Sequence, residues 1–365
     1  MNIIYLTSSS NKSGGTRQAF YLAKGMEERG HRVRFFVPGN SSMVELQPEW
    51  PAWSFLDGKK HWHDRIEEAM QAMKGPVVVH AFHNAAVKRL AWWGLFWKKR
   101  AVCCAHRGVI FRPNNPLPYW SPGIDAFLVN SKVCADVLKS VGLSPKRTYV
   151  VANSVPDERI APTRERSAIR AELGMDADDI VFGTIADSSP TKGVDKLLEA
   201  FGCAFGQDQK QSPPPPQNVR LLIQGTSPSL CPDWLNASPL RERIHFLPHQ
   251  NNISDALAAM DCFVLPSLSE SMPNTLLEAV RSGLPGIGSQ VGAVAEILAT
   301  CGISVMPGDI PSLSKALLLM AMDDSMRNNM AENARIHGDL YRPEKRLELV
   351  ESIYTDLLRK RGLAV

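Results

Sequence analysis

An open α/β fold in two halves is what this sequence predicts, and three observations carry the prediction. Short apolar runs alternate with amphipathic stretches along the chain, the rhythm of parallel strands joined by crossover helices. At 365 residues the chain is longer than most single domains. The alternation is broken by a polar, charge-rich segment, residues 156–170, which reads as a hinge region between halves.

In the first half, residues 2–6 read as a strand and 8–15 as a polar loop carrying Gly14 and Gly15. Residues 16–29 read as a helix, because positions 19, 20, 22, 23 and 26 are apolar at close to helical spacing. Gly30-His31 ends it, and 32–37 is the next strand. Further strands are expected at 77–80, 101–105, 126–129 and 148–151, with helices at 84–98 and 132–141 between them. The second half opens with a strand at 180–185 and a helix at 193–205. Strands at 220–224, 244–246 and 262–265 follow, with helices at 253–259 and 274–282. Residues 207–217 hold four successive prolines, which suit neither a helix nor a central strand, so they read as a solvent-exposed insertion. The stretch 311–360 is helical in pattern.

Composition narrows the function. The chain is 44% hydrophobic and 21% charged, ordinary for a soluble globular protein. A net charge of +4 with no base-readout motif does not point to nucleic acid, but it is compatible with phosphorylated small ligands. The seven cysteines form no C-x-x-C pair and no metal-ligand spacing, and a scattered, odd count fits a reducing cytosol. The N-terminus lacks the basic region of a signal peptide, and no apolar run approaches the ~20 residues that span a bilayer. A cytoplasmic location is expected.

The residues suited to chemistry lie at predicted strand ends. Glu270 and Glu278 stand eight positions apart, one in the loop after a strand and one in the helix that follows. Carboxylates there suit the vicinal hydroxyls of a sugar. The loop 8–16, with Gly14 and Gly15, meets a helix N-terminus, where backbone N–H groups attract anions. A tight turn explains that loop equally well. Lys192, in Gly183-Thr-Ile-Ala-Asp-Ser-Ser-Pro-Thr-Lys-Gly193, stands where it could pair with a diphosphate; alone, it reads as a solvated lysine. His80, His83 and His106 also lie at strand ends. Taken by themselves, His80 and His83 read as hydrogen-bonded structural residues. In residues 88–100, three tryptophans and a phenylalanine alternate with five basic residues. Trp93, Phe96, Trp97 and Arg100 fall near one helical face, flanked by Arg89 and Trp92. Such a helix suits either an anionic membrane surface or an ordinary core.

These motifs, in this order, resemble the retaining glycosyltransferases of sequence family 4, the glycosyl transferases group 1 of bacteria. The resemblance rests on Glu270, Glu278, Gly283, Pro285 and Val291-Gly-Ala-Val-Ala-Glu296. It extends to Gly14-Gly15, Arg29-Gly-His31-Arg-Val33, Val129-Asn-Ser131, Asn153-Ser-Val155, Ser189-Pro-Thr-Lys-Gly193 and a terminal helix around 350–358. It implies a GT-B fold: two Rossmann-like domains facing a central cleft, with a C-terminal helix crossing back to the first. The expected bounds are 1–160 for an acceptor-binding domain, 161–342 for a nucleotide-sugar-binding domain and 343–365 for the returning helix.

The resemblance also implies roles. Glu278 would hold the ribose and Glu270 the donor sugar. Ser271, Met272, Pro273, Asn274 and Thr275 would hold sugar and phosphates by their backbone. Lys192 would neutralise the diphosphate, with Gly15 facing it, and the base would rest on 246–250. His106 would face the reacting centre from the acceptor domain. No cofactor and no metal ion are expected. The donor would be a UDP- or GDP-sugar, and the acceptor a saccharide or lipid-linked saccharide of cell-surface polysaccharide or lipopolysaccharide synthesis.

Four positions at three places depart from the family pattern. Asp187 stands where the family carries an arginine of the diphosphate clamp; Lys12, Arg17 and Arg107 are the cations that could replace it. Ser271-Met272 replaces Gly-Phe, and Ala293 replaces the second glycine of the later turn. The rival readings are a nucleotide-sugar epimerase of the same fold and a non-catalytic nucleotide-sugar-binding protein.

Overall fold

The computed structural model describes residues 1–56, 62–206, 214–250 and 252–363. The chain forms two compact units, Met1–Ser154 with Pro343–Val365, and Val155–Arg342.

The first unit is built on a seven-stranded parallel sheet, β1 (Asn2–Thr7), β2 (Arg32–Pro38), β3 (Trp53–Leu56), β4 (Val77–Phe82), β5 (Ala101–Arg107), β6 (Ala126–Val129) and β7 (Thr148–Val150), in the order β3-β2-β1-β4-β5-β6-β7. Its helices are α1 (Gly14–Glu28), α2 (Trp62–Ala72), α3 (Asn84–Trp97), α4 (Leu117–Trp120) and α5 (Lys132–Ser140). Strands covered on both faces can be apolar at every position, and β4 is buried throughout. Alternate residues feed two cores. Ile3 and Tyr5 join α1 and the terminal helix Pro343–Lys360, whereas Ile4 and Leu6 join α2 and α3. The terminal helix contributes Leu347, Val350, Ile353, Tyr354 and Leu357 to the first core. It comes so close to α1 that a Cβ on Gly25 would lie 2.6 Å from Leu347 Cδ1. The four-residue β3 is too short to stand out in the sequence, and α2 goes unread although Ile66, Ala69, Met70 and Met73 recur at helical spacing.

The second unit holds six parallel strands, β8 (Ile180–Ile185), β9 (Val219–Gln224), β10 (Ile244–Leu247), β11 (Cys262–Leu265), β12 (Gly286–Ser289) and β13 (Gly302–Val305), in the order β10-β9-β8-β11-β12-β13. Its helices are α6 (Arg166–Glu172), α7 (Val194–Phe205), α8 (Asp233–Asn236), α9 (Ser254–Ala259), α10 (Asn274–Arg281), α11 (Val294–Ile297), α12 (Ile310–Met322) and α13 (Asp324–Gly338). In both sheets the strand order reverses once, at β1/β4 and at β8/β11. Ligands of doubly wound sheets bind outside the carboxyl ends of the strands, at such a switch point.

Residues 156–170, expected as a hinge, are instead a packed part of the second unit. Thr163 bonds Asp255 through its N–H and its hydroxyl at 2.7 and 2.8 Å. Arg166 and Arg170 each donate to Asp261 at 2.6 Å and to carbonyls at the end of α9. The charges that suggest a linker in the sequence are anchors. Residues 207–213 of the expected proline-bearing insertion, and residues 364 and 365 of the expected terminal helix, lie outside the described residues.

Candidate functional site

The second unit gathers most of the residues singled out above in three loops at the carboxyl ends of β8, β11 and β12. Glu270 lies between β11 and α10. Its carboxylate accepts from Lys192 Nζ at 2.7 Å and from Ser267 Oγ at 3.2 Å. Lys192 ends the short helical turn Pro190–Lys192 between β8 and α7. Gly193 then takes φ +65°, and a Cβ there would lie 2.1 Å from the Pro266 carbonyl oxygen. Only glycine allows this approach. The Leu268 N–H bonds the Thr191 carbonyl at 2.8 Å and completes the seam.

The turn after β12 closes the other side of the Glu270 loop. Gly292 has φ +54°, and a Cβ on it would stand 2.2 Å from the Glu270 carbonyl oxygen and 2.4 Å from that of Ser271. Ala293 donates its N–H to the Ser271 carbonyl at 2.8 Å. Ala293 itself has φ −92°, so alanine stands in for the family glycine without strain. Met272 and Pro273 are buried. Asn274 and Thr275 open α10. The helix ends in a Schellman turn at Gly283, φ +79°, with Leu284 N–H on the Ala279 carbonyl at 3.0 Å, and Pro285 stops it. The Gly-x-Pro of the motif is thus a helix stop.

Glu278 is 3% exposed, and its carboxylate accepts from Arg159 Nε at 2.7 Å. Nothing in the sequence singles out Arg159, which lies 119 positions away. Asp187 is exposed, and its carboxylate caps its own loop by accepting the Ser189 N–H at 2.9 Å.

The first unit brings Gly14, Gly15, His83 and His106 to the carboxyl ends of β1, β4 and β5. Ser13 and Thr16 form a reciprocal capping box that starts α1 at Gly14. A Cβ on Gly15 would lie 3.3 Å from His83 Nε2. His83 has φ +68°, a strained conformation for a side chain of its size, and its Nδ1 is 2.7 Å from Thr7 Oγ1. His83 therefore stands beside the glycine loop, which its reading as a plain structural residue does not anticipate. His80 fits that reading: it is fully buried, with Nδ1 2.5 Å from the Tyr354 hydroxyl. His106 stacks on Phe82 at 4.9 Å. Burial first, then the Arg346 charge and His83, push its ionisation down to about 3, so it is neutral at ordinary pH. Arg346, on the terminal helix, is itself buried and donates to the Gln18 carbonyl and side-chain oxygens at 3.0 and 2.8 Å. Gln18 in turn holds Ser154 through both of its backbone polar groups. Neither Gln18 nor Arg346 is marked by any sequence signal.

The basic, tryptophan-rich helix divides differently from the expected faces. Trp97 is buried and Trp93 half-buried, while Trp92 and Phe96 are 68% and 80% exposed. The close approach of Gly94 to the Gly123 carbonyl fixes which side faces the core. α4 packs on α3 and exposes Leu117 and Trp120. Of the cations that could replace an arginine at 187, Lys12 pairs with Glu45 at 3.5 Å, and Arg107 is buried against Tyr119 and Phe111. One Asp-x-Asp triplet, Asp176-Ala177-Asp178, precedes β8. Among the described residues no group of three side chains suited to a metal ion comes together. No helix is long and apolar enough to cross a membrane among those residues.

Two family models match the chain: glycosyltransferase family 4 over residues 12–159, and glycosyl transferases group 1 over 179–323. The lipopolysaccharide glucosyltransferase WaaG of Escherichia coli K12 is 25% identical, across 92% of this chain and 95% of that protein. The N-acetyl-alpha-D-glucosaminyl L-malate synthase of Bacillus anthracis is 26% identical over 60% of this chain. The chain spans 56% of the length of that relative. Among solved structures, Anabaena Alr3699/HepE in complex with UDP superposes with a TM-score of 0.81 at 17% identity, over 98% of this chain and 100% of that one. The likeness establishes the GT-B fold. With both halves matched in order, the chain belongs to the group 1, family 4 glycosyltransferases.

Proposed function

We propose that the protein is a retaining glycosyltransferase that moves a sugar from a nucleotide-diphosphate sugar to a saccharide or lipid-linked acceptor in cell-surface polysaccharide or lipopolysaccharide synthesis. The observation that carries this reading is the Lys192–Glu270 pair, held between Gly193 and Gly292 at the carboxyl edge of the second sheet. In it Glu270 accepts donor-sugar hydroxyls, and Lys192 stabilises the charge that develops on the departing diphosphate. Glu278 holds the ribose hydroxyls, and Ser271, Met272, Asn274 and Thr275 contribute backbone N–H donors, Pro273 having none. Fixed cations and N–H groups do the work of a metal ion. The donor is a UDP- or GDP-sugar, and the HepE complexes with UDP and UDP-glucose favour UDP.

In this reading the first unit takes the acceptor, with neutral His106 as a hydrogen-bonding partner at the reacting centre. Gly14 and Gly15 leave room for the donor phosphates. The exposed Trp92 and Phe96, beside Lys88, Arg89, Lys98, Lys99 and Arg100, favour peripheral docking on an anionic membrane. Charge removal at Lys98, Lys99 and Arg100 should then reduce co-sedimentation with anionic vesicles. Unchanged co-sedimentation would make the helix purely structural.

A thermal-shift screen over UDP, GDP, ADP, CMP and their sugars, followed by product analysis with and without acceptors, tests the main reading. Transfer with an unchanged anomeric configuration supports it. Conversion of the donor sugar without an acceptor would instead mark an epimerase. Binding without any turnover would mark a non-catalytic protein.

A further inference from the structure

Beyond the carboxyl ends of β4 and β5, the first unit holds a cavity of about 360 Å³. Lys88, Arg107 and Arg112 line it together with Asn84, Asn114 and Asn115, and no acidic residue is among its described walls. Arg107 is only 5% exposed. One of its terminal nitrogens donates to the Tyr119 hydroxyl and the other to the Phe111 carbonyl, while its buried Nε has no partner. Among the described residues no carboxylate pairs with Arg107, Lys88 or Arg112. A guanidinium withdrawn from water without a counter-ion is costly, and its remaining donors suit a planar or tetrahedral oxyanion. Phe111 and Val109, 69% and 41% exposed, add apolar surface to the same cavity.

We infer that this cavity recognises a phosphate or diphosphate ester on the acceptor, gripped by Arg107, Lys88 and Arg112, with the asparagine amides as further donors. The assignment rests on the reading of this unit as the acceptor side. Arg107 follows His106 directly on β5, so the two stand at the same strand end but with their side chains on opposite faces of the sheet, Arg107 on the Tyr119 side. The shared chemistry is the phosphate group, whether a soluble sugar phosphate or a polyprenyl diphosphate carries it.

Calorimetric titration of the full chain with inorganic pyrophosphate tests the inference. It is done in a Lys192→Ala background, which weakens the donor-side diphosphate contact. Added Lys88→Ala and Arg112→Ala substitutions, both at exposed positions, should lower pyrophosphate affinity at least about tenfold, the loss of one charge-assisted contact. An unchanged affinity, or no pyrophosphate binding before those substitutions, overturns the inference. A hexose 1-phosphate and a short-chain polyprenyl diphosphate in detergent are then used as competitors. Displacement by either supports the subsite and identifies the carrier, and displacement by neither overturns the acceptor assignment. Nucleotide-diphosphate binding to the unsubstituted protein is measured separately. Its absence would sink the transferase reading while leaving the cavity result standing.

Discussion

Lys192 and Glu270 face each other at 2.7 Å from two different loops, and each loop is held by a glycine whose Cβ would strike a backbone oxygen. The pair is partly exposed, with side-chain exposures of 33% and 14%. Ion pairs of that kind add about 0–1 kcal/mol to stability. Lys192→Ala should therefore change the urea midpoint little. A preorganised cation aimed at a developing charge is worth much more to a rate, about 10²-fold or beyond. Steady-state transfer assays beside urea melts should show this split. A large stability loss with proportionate activity loss would make the pair merely structural.

Glu278 illustrates the opposite balance. It is buried in α10 and bonded to Arg159, itself only 14% exposed. Removing a buried partner of a charged group costs about 1–3 kcal/mol. Glu278→Ala should lower stability by that much and weaken nucleotide affinity several-fold or more by calorimetry. Glu278→Gln can still accept from Arg159, so it should recover most of the stability and only part of the affinity. Equal nucleotide affinity in all three proteins would remove Glu278 from the ribose site.

Gly292 couples the β12 turn to the Glu270 loop. Its φ of +54° and the 2.2 Å separation of a virtual Cβ from the Glu270 carbonyl oxygen leave no room for alanine. The left-handed conformation alone costs a side chain about 1–2 kcal/mol, and the clash adds to it. Gly292→Ala should lower the melting temperature and abolish most transfer by displacing Glu270. Ala293→Gly, at φ −92°, should leave transfer close to unchanged. Similar activity in both variants would mean that the turn does not position the loop.

These couplings explain what the sequence makes legible. The Glu270–Glu278 spacing and the Thr-Lys-Gly loop are local patterns, and the strands that present them are short, predominantly apolar runs. Arg159 on Glu278 and Arg346 on Gln18 are pairings of side chains 119 and 328 positions apart, which no periodicity announces. β12 and β13 are missed because Gly286, Gly288 and Gly302 admit Val294 and Leu298 where strand side chains would stand. Residues 90–97 carry apolar side chains on both sides of α3, so tertiary packing of Leu90, Ala91, Gly94 and Trp97 decides that Trp97 is core and Trp92 is surface.

Asp187 is where the family pattern and this chain disagree most. Its carboxylate holds the Ser189 N–H, so it has a local role in shaping the Lys192 loop. Asp187→Arg removes that bond, at a cost of about 0.5–1.5 kcal/mol, and restores the clamp cation. Donor affinity or kcat should rise about tenfold if the diphosphate passes this position, the effect of roughly one added charge-assisted contact. Asp187→Asn, which keeps the turn and removes the charge, should give a smaller rise in the same direction. A fall in both variants would show that the aspartate itself serves the reaction.

His106 makes a pH prediction with a definite sign. In the unfolded chain it titrates near the usual histidine value of about 6.5. In the fold, burial, Arg346 and His83 push it down to about 3. Between those values the unfolded chain binds more protons, so acid favours unfolding. The stability that depends on neutral His106 is whole above pH 6.5 and is lost progressively as pH falls toward 3. His106→Gln, neutral at every pH, should flatten the fall in urea midpoint across that window. His80 and His83, also held down by burial, keep part of the slope. For activity the consequence is reversed in emphasis. Since His106 stays neutral from pH 5 to 8, the variant should lower the transfer rate without changing the shape of the pH profile there. An acid limb near pH 6.5 that vanishes in His106→Gln would show that His106 titrates during turnover, and the neutral hydrogen-bonding role would be wrong.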